Sequence, residues 1–328
     1  MKLSQIGELS LLDKLRKRFR TRTRGLILGI GDDAAVIASD GSTLVTSDMM
    51  VEGVHFNLSW TTPFQLGFKL ISVNVSDIYA MGGIPHFVLL NFAAHGNCTL
   101  QFFTDFFDGI EHALDTYAVA LIGGDISASD RLMLSVTAIG SADTVVQRKG
   151  ARIGDRIYVT GTLGDAACGL ELLRKLNHTV DLKKGGRYGL PLRWQTAAPL
   201  MGRHLMPIAR DSAAFSVQAT AMIDVSDGLL IDLGRLCRES GVGARVRIPD
   251  IPLSDALKQA ASVLGLSAEG LALSGGEDYE LLFTASPKRK IDANCIGEIA
   301  RSGIVVMDDA GRRINIAKKG YQHFAVQG

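Results

Sequence analysis

Aspartates stand at the ends of several short apolar runs in this chain, where a strand would lead into a turn. One further acid, Asp77, lies within the apolar stretch 69–82. Carboxylates at strand ends are expected to point to one rim of an open sheet, where α/β proteins bind their ligands. The segments are GIGDDA at 29–34, VTSDMM at 45–50, IGGD at 122–125, DVSDGL at 224–229 and GGEDYE at 275–280.

So many carboxylates in one place would repel each other and raise one another's pKa unless cations lay among them. The ligand atoms are oxygens and no cluster of His or Cys accompanies them, so the pattern favours Mg²⁺ over zinc. Magnesium bound by a few carboxylates usually keeps phosphate oxygens among its other ligands. The aspartates therefore predict an enzyme that binds magnesium together with a nucleotide polyphosphate.

Two other interpretations of these segments stay open at this point. An Asp after a strand is often only the N-cap of the next helix. GIGDDA also fits the G-x-G-x-x-A dinucleotide fingerprint of a nicotinamide-dependent dehydrogenase, although its two aspartates would face the pyrophosphate directly. The chain contains no G-x-x-x-x-G-K-[ST] segment and no protein-kinase catalytic loop, so a bound ATP would need a different cradle.

The elements that must position these acids alternate between strand-like and helix-like segments, which predicts an α/β fold with mixed sheets. Thr62 and Pro63 are typical of a helix start, and Gly82 and Gly83 would end that helix near Met81. Residues 177–195 lack periodicity and are predicted to form a long loop. The other predicted helices are 100–116, 227–240, 254–264 and 287–293, with another after GTLGD. The predicted strands are 26–30, 43–47, 87–93, 118–122, 132–140, 156–160, 220–224, 244–248 and 280–284.

The length of 328 residues and an apolar content of 47% predict a globular protein of two domains. The sequence becomes polar and basic near 142–152, so we place the boundary there, with domains at 1–147 and 148–328. A balance of 35 basic and 34 acidic residues argues against nucleic acid as the main partner. The absence of a long apolar run and of any CxxC pair predicts a cytoplasmic protein without a membrane partner.

Longer motifs make the sequence resemble the thiamine-monophosphate kinase family. They follow the family's order over nearly the whole chain, and EGVHF together with GGEDYEL is far more specific than any three-letter motif. The matching segments are GIGDDAAV, VTSDMMVEGVHF, KLISVNVSDIYAMGGIP, LIGGD, KGARIGDRIYVTGTLGDAA, DVSDGL, LSGGEDYELLF and KGYQHF.

The resemblance implies a fold, an assembly and a reaction. The family belongs to the aminoimidazole ribonucleotide synthetase superfamily, in which an N-terminal α/β domain binds ATP and magnesium and dimerises through its sheet. A C-terminal α/β domain completes the ATP and substrate site. The implied reaction moves a phosphoryl group in line from ATP to thiamine monophosphate, with several Mg²⁺ ions as cofactors. The implied partners are therefore these two small molecules and a second copy of the chain, in a homodimer.

The resemblance also assigns roles to matching positions. Asp48, Asp77 and Arg148 would be catalytic, through alignment and charge neutralisation, with no general base. The expected metal ligands are Asp33, Thr46, Ser47, Asp48, Asp77, Asp125, Asp224 and Asp227. ATP would contact Gly124, Asp125, Arg148, Ser226 and, beside the adenine, Phe107. Thiamine monophosphate would contact His55, Glu277 and Tyr321.

Two positions depart from the family pattern. Ser47 stands where Thr is common, and Met206 replaces the Arg of an RPxxR-like element in HLMPIAR at 204–210. Two alternatives remain beside the kinase and the dehydrogenase. An ATP-dependent synthetase of the same superfamily would keep the aspartates but lose EGVHF, GGEDYE and KGYQHF. A non-catalytic sensing module would bind ATP and magnesium without turnover.

Overall fold

The computed structural model describes residues 14, 17–19, 25–28, 36–37, 41–182, 184–185, 189–314 and 320–321. Asp33 and the rest of GIGDDA lie outside these described residues, so the predictions made for that segment are not addressed below. The chain divides into two compact units, which are considered separately. One unit comprises Met1–Tyr79 and Gly83–Val145, and the other comprises Ala80–Gly82 and Val146–Gly328.

The first unit is built on a four-stranded sheet in the order β3-β6-β4-β5, in which only β4 and β5 run parallel. A separate antiparallel pair, β1 and β2, precedes it. Its elements are β1 Leu26–Leu28, β2 Val36–Ile37, β3 Ser42–Val51, α1 Pro63–Ala80, β4 Ile84–Ala94, α2 Leu100–Tyr117, β5 Ala120–Ala128 and β6 Met133–Ala142.

Helix α1 begins and ends where the sequence predicts. The Gln65 N–H donates to Thr62 Oγ1 at 3.3 Å and the Thr62 N–H donates to Gln65 Oε1 at 2.9 Å, which is a reciprocal capping box. Beyond the end of the helix, the Gly83 N–H donates to Ile78 O at 3.0 Å. Strand β3 alternates, with Leu44 and Met50 buried and the residues between them more exposed.

The second unit is built on a seven-stranded sheet in the order β13-β12-β9-β11-β7-β10-β8, in which β9 and β12 pair parallel and the other pairs are antiparallel. Its strands are β7 Arg156–Val159, β8 Ala221–Asp224, β9 Gly243–Arg247, β10 Leu281–Ala285, β11 Asn294–Ala300, β12 Ile304–Met307 and β13 Arg313–Ile314. Its helices are α3 Asp165–Leu176, α4 Trp194–Leu205, α5 Leu229–Ser240, α6 Asp255–Leu264 and α7 Ala268–Ser274.

The α/β fold class predicted from the sequence is confirmed, but some elements differ. The predicted helix 287–293 is wrong, because residues 287–289 form a turn that leads into β11. Its seven residues begin with Pro287 and contain three consecutive basic residues, too few apolar positions to bury one helical face. Helices α4 and α7 and strands β2, β11, β12 and β13 were not predicted. In the described part of the chain, no helix is both long and apolar enough to cross a membrane.

Candidate functional site

In the first unit, β3 and α1 bring together three predicted metal ligands, two of which are also predicted catalytic residues. Thr46 Oγ1 donates to Asp77 Oδ2 at 2.7 Å, which holds the carboxylate of the helix against the strand. Two residues further along β3, the Asp48 N–H donates to the side-chain oxygen of Asn74 at 3.0 Å. Asn74 is fully buried and donates in turn to Leu70 O at 2.9 Å. Strand and helix thus hold Thr46, Asp48 and Asp77 on one face.

The side chain of Ser47 faces the other way from Thr46 and Asp48, and its role as a metal ligand stays a prediction. Its Oγ donates to Val136 O at 3.0 Å and accepts from Thr137 Oγ1 at 3.2 Å. Successive residues of a strand point to opposite faces of the sheet. The hydroxyl of Ser47 therefore cannot join the oxygens of Thr46 and Asp48 at one ion.

Strand β5 carries Gly124 and Asp125 at the position predicted to bind ATP. Both residues are exposed, and Asp125 is paired in register with Asn91 of β4. Gly124 has φ of +145°, and a Cβ there would overlap the carbonyl oxygen of Leu90. Only glycine allows β5 to run this close to β4 at this point, so the glycine sets the path that presents Asp125.

Phe107 is part of the aromatic core of the first unit, which corrects its prediction as an adenine contact. Its side chain is 1% exposed and packs against Phe103, with 4.6 Å between ring centroids, and against Phe19 at 5.9 Å. A ring enclosed in this way offers no face to a ligand.

His55 lies in a tight turn after β3. Gly53, with φ of +80°, donates from its N–H to Phe56 O at 2.9 Å. The Val51 N–H donates to His55 Nδ1 at 3.0 Å. Because Nδ1 accepts this hydrogen bond, the neutral ring carries its hydrogen on Nε2. The turn therefore presents a partly exposed imidazole that can donate a hydrogen bond to an anion from Nε2.

In the second unit, two acidic loops are joined by backbone hydrogen bonds, and we name residues 224–228 and 275–280 the paired loops. The Glu277 N–H donates to Ser226 O at 2.8 Å, and the Val225 N–H donates to Glu280 O at 2.8 Å. The predicted residues Asp224, Ser226, Asp227 and Glu277 are therefore brought together here. Tyr321 joins them, because its N–H donates to Asp227 O at 3.0 Å.

Asp232 holds the first of the paired loops in shape. Its Oδ2 accepts from three successive backbone N–H groups, those of residues 226, 227 and 228, at 3.0–3.1 Å. Arg235 bridges Asp232 Oδ1 at 2.7 Å and Asp227 Oδ2 at 2.6 Å. Burial raises the pKa of Asp232 to about 6, against the lowering effect of Arg235. The motif DVSDGL does not include Asp232, although an acid five residues after Asp227 could have indicated this role.

The three acids of GGEDYE have three different surroundings. Asp278 is buried and accepts from the Gly164 N–H at 2.6 Å and the Ala166 N–H at 3.0 Å, at the start of α3. Burial raises the pKa of Asp278 to about 7, against the lowering effect of these two donors. Glu277, in contrast, has a side chain that is 28% exposed. Of the three, Glu277 is the acid best placed to meet a ligand.

Glu280 is fully buried and binds two arginines. Its oxygens accept from Arg203 Nη2 at 2.7 Å, from Arg210 Nε and Nη2 at 2.8 Å, and from Thr160 Oγ1 at 2.6 Å. Burial would raise the pKa of Glu280, but the hydrogen bonds and charges of Arg210 and Arg203 outweigh burial and lower it. Met206 stands at the first arginine position of the RPxxR-like element noted above. In the sequence it lies between Arg203 and Arg210, and it is the C-cap residue of α4.

Arg148 lies in an exposed segment at the start of the second unit. Its carbonyl oxygen accepts from Ser240 Oγ at 3.0 Å, and the same hydroxyl oxygen accepts from the Gly150 N–H at 3.1 Å. The backbone is thereby held while the guanidinium stays exposed. Such an arrangement leaves the side chain available to a phosphate.

The donor chemistry of these residues fits magnesium. The side-chain donors are carboxylate and hydroxyl oxygens, which a hard divalent cation prefers. Among the residues that the structure describes, no group of three or more His, Cys, Asp or Glu side chains forms a preassembled metal cluster. The four cysteines, at 98, 168, 237 and 295, are all free thiols, and the first and last of them are not buried.

Comparison with known proteins shows which family the chain belongs to. Residues 31–142 match the family described as AIR synthase related protein, N-terminal domain, and residues 152–309 match its C-terminal domain. Thiamine-monophosphate kinase of Aquifex aeolicus is 35% identical over 99% of this chain and 100% of its own length. This chain belongs to the thiamine-monophosphate kinase family. A second member, from Escherichia coli K12, is 34% identical over 97% of this chain and 98% of its own length.

Solved structures of the thiamine-monophosphate kinase family have the same fold. A structure described as AaThiL complexed with AMPPCP and TMP has a TM-score of 0.78 at 34% identity, covering 99% of both chains. The Stenotrophomonas maltophilia enzyme has a TM-score of 0.78 at 34% identity, covering 93% of this chain and 97% of its own. A hydrogenase maturation protein in complex with ATP, at 16% identity and a TM-score of 0.71, shares the fold alone. The dehydrogenase interpretation predicts a different family, so membership of a phosphotransferase family argues against it.

Proposed function

We propose that this protein phosphorylates thiamine monophosphate to thiamine diphosphate, with ATP as the phosphoryl donor. The observation that carries the proposal is the pair of acidic loops, which places Glu277 and Tyr321 beside Ser226 and Asp227. A relative that is 34% identical over 99% of this chain is described as a complex with AMPPCP and TMP. AMPPCP is an ATP analogue, so that relative was studied with a nucleotide and an acceptor of this kind.

The substrate chemistry suits the residues assigned to it. Thiamine monophosphate carries a thiazolium cation and a phosphate, and the partly exposed carboxylate of Glu277 attracts the cation. Tyr321, whose exposure is 49%, offers an aromatic face for cation–π contact. The His55 imidazole, held in its turn by Val51, offers a hydrogen-bond donor to an anion. These substrate contacts remain predictions.

The transfer step needs alignment and charge neutralisation more than proton transfer. The attacking atom is a phosphate oxygen that is already anionic near neutral pH, so no general base is required. Arg148 would contact the transferred phosphoryl group as its charge spreads over the oxygens. Gly124 and Ser226 would approach the nucleotide through backbone and hydroxyl groups.

Magnesium would be held by Thr46, Asp48, Asp77, Asp125, Asp224 and Asp227, together with Asp33 outside the described residues. Bound there, Mg²⁺ supplies neutralisation of the phosphate oxygens. The hydrogen bond from Thr46 fixes the position of the Asp77 carboxylate against strand β3. Asn74 holds the backbone beside Asp48 in a similar way.

Three further parts of the proposal concern the whole protein. We place the ATP- and magnesium-binding and dimerisation roles in residues 1–147 and completion of the ATP and substrate site in residues 148–328. Assembly as a homodimer through the first sheet is supported by exposed apolar residues on one face of that sheet, namely Val45, Met49 and Ile84. Its location in the cytoplasm remains a prediction from the scattered, unpaired cysteines.

The first test is turnover of ATP, Mg²⁺ and thiamine monophosphate, with thiamine diphosphate measured by chromatography. We expect product from the native enzyme and a loss of at least about 100-fold in kcat for Asp48→Asn, since a metal-binding carboxylate is replaced by an amide. The matched control is Asp130→Asn, an exposed acid of the same unit in the turn between β5 and β6, which should keep native activity.

Other outcomes separate the alternatives. Native activity in Asp48→Asn would remove Asp48 from the metal set. Binding of ATP and Mg²⁺ in equilibrium dialysis without turnover of thiamine monophosphate would identify a sensing module or a synthetase for another metabolite. Binding of a nicotinamide nucleotide without Mg²⁺ would instead support the dehydrogenase interpretation.

A further inference from the structure

His204 is a buried histidine that neither the sequence motifs nor the proposed reaction explains. It lies in the last turn of α4, and its side chain is 6% exposed. Its Nδ1 lies 2.8 Å from Oε2 of Glu277. We infer that His204 is a positioning residue that sets the orientation of the Glu277 carboxylate for the cationic part of the substrate. The inference rests on the proposed function of Glu277 as a substrate contact.

The contact between these side chains fixes which ring nitrogen carries a hydrogen. Two lone pairs at 2.8 Å would repel, so Nδ1 of His204 carries the hydrogen that faces Glu277 Oε2. The oxygen lies off the line of that N–H, which makes the contact a close electrostatic one and not a linear hydrogen bond. Burial of His204 keeps solvent from screening it. One carboxylate oxygen is thus directed inward.

The backbone alone leaves the side chain of Glu277 undirected. Glu277 has φ of +69°, an unusual value outside glycine, and its N–H is held by Ser226 O at 2.8 Å. A Cβ on Gly276 would overlap the same Ser226 oxygen, so the chain cannot shift there. Beyond the backbone, three rotatable bonds still separate Cα from the carboxylate oxygens of Glu277. The direct contact with His204 restrains them.

Helix α4 is held next to Glu277 by other contacts in its last turn. Arg203, next to His204, donates from Nη2 to Glu280 Oε1 at 2.7 Å and to Asp278 O at 2.9 Å. The last turn of α4 therefore holds the segment 277–280 at three points, two of them through Arg203. The role that follows is orientation of the Glu277 carboxylate for a cation.

Two variants of His204 separate positioning from packing. In His204→Asn, Nδ2 takes the place of Nδ1 and keeps a donor, but the side chain is smaller. In His204→Leu, a methyl group takes the place of Nδ1, and the volume is closer to that of histidine. A packing role predicts that Leu is the milder change, whereas a positioning role predicts that Asn is. The two hypotheses therefore order the variants oppositely.

The measurement is steady-state kinetics of the full-length enzyme, with each substrate varied in turn. We expect His204→Leu to raise KM for thiamine monophosphate about tenfold while KM for ATP changes less than about twofold. His204→Asn should stay within about threefold of the native enzyme. In a Glu277→Gln background, His204→Leu should have little further effect, because residues that act through one another are not additive.

Each contrary result has a definite meaning. An active native enzyme whose KM for thiamine monophosphate is unchanged in His204→Leu, or is raised more in His204→Asn, would overturn the positioning role alone. Equal changes in both KM values, or additivity with Glu277→Gln, would do the same. No turnover of thiamine monophosphate by the native enzyme would refute the proposed function and the inference with it. If His204→Leu fails to fold, KM for thiamine monophosphate is compared between His204→Asn and Glu277→Gln. A positioning role predicts a KM near the native value for His204→Asn, which keeps a donor, and a packing role predicts a raised KM for this smaller side chain.

Discussion

Glu280 joins the second of the paired loops to two arginines. It is fully buried and is matched by two arginines, Arg203 on α4 and Arg210 beyond it. A buried charge is tolerated only when its oxygens are matched, and removal of one partner leaves the others uncompensated. Because Arg203 also binds Asp278 O, the carboxylate of Glu280 supports the neighbouring residues of the paired loops.

We predict that Glu280→Gln lowers the free energy of unfolding by about 3 kcal/mol at pH 7, the lower end of the cost of breaking a buried ion pair. The reason is that the amide keeps one acceptor but loses the charge that faces Arg203 and Arg210. Urea unfolding measures the change. Glu298→Gln is the control, because its partner Arg245 and Glu298 itself are more than half exposed, and the loss there should be below about 1 kcal/mol.

The same variant has a predictable pH dependence. The pKa of Glu280 is lowered in the folded protein, so its stabilising contribution is present above the unfolded pKa of about 4.5 and is lost as pH falls through the folded value. The difference in unfolding free energy between native protein and Glu280→Gln should therefore be largest near pH 7 and should shrink below pH 4.5. A difference that grows on acidification would show that the carboxylate is not held as an ion.

Among the elements, the predictable ones carry strong local signals. Helix α1 has a capping box at Thr62 and glycines after its end, and its predicted start and end are confirmed. Helix α4 begins at Trp194 inside a stretch predicted to be a loop, and Arg193 at its N-cap makes no side-chain cap. Its stability comes from packing with α3 and α6 and from Glu280, which are contacts that a local pattern cannot reveal.

The site was predictable to a similar degree. Motifs identified Asp224, Asp227 and Glu277, and the structure brings these residues together in the paired loops. The burial of Phe107 and the direction of the Ser47 hydroxyl were not predictable, because a motif gives position in the chain but not the face of a strand or the depth of a side chain. Asp232 and His204 were missed because their importance lies in what they hold, and that depends on contacts between distant segments.

Strand β5 offers a test of how an element presents a residue. We predict that Gly124→Ala costs at least about 2 kcal/mol in unfolding free energy and at least about tenfold in kcat/KM, because the added Cβ overlaps Leu90 O and pushes β5 away from β4. Asp125 would move with the strand. Urea unfolding and the turnover assay measure the two effects.

The neighbouring glycine supplies the control for this prediction. In Gly123→Ala the Cβ would lie 2.9 Å from Leu89 Cδ2, the movable end of a side chain, and φ there is not positive. That change should cost less than about 1 kcal/mol. Equal losses in both variants would mean that β5 is sensitive to any added volume, and that the close approach at Gly124 has no special part in presenting Asp125.

At the scale of the whole molecule, the first sheet has two unlike faces. One face buries Leu44, Met50 and Phe92 in the core of the unit. The other carries Val45 and Met49 of β3, which are 65% and 53% exposed. A soluble monomer seldom leaves such neighbouring apolar side chains uncovered without a reason. A second copy of the chain, pairing the same face by twofold symmetry, is the occupant that the family resemblance implies.

We predict that the native protein is a dimer in light scattering after size exclusion, and that the double variant Val45→Glu/Met49→Glu is a monomer. If this face is paired in the dimer, the two new carboxylates of each chain would lose their water and lie close to the same carboxylates of the other chain. Desolvation and charge repulsion both oppose association. Val217→Glu is the control, because Val217 is 86% exposed and lies in the second unit, so that variant should stay dimeric. A double variant that remains dimeric would place the contact elsewhere, and a native protein that elutes as a monomer would leave this face to another role.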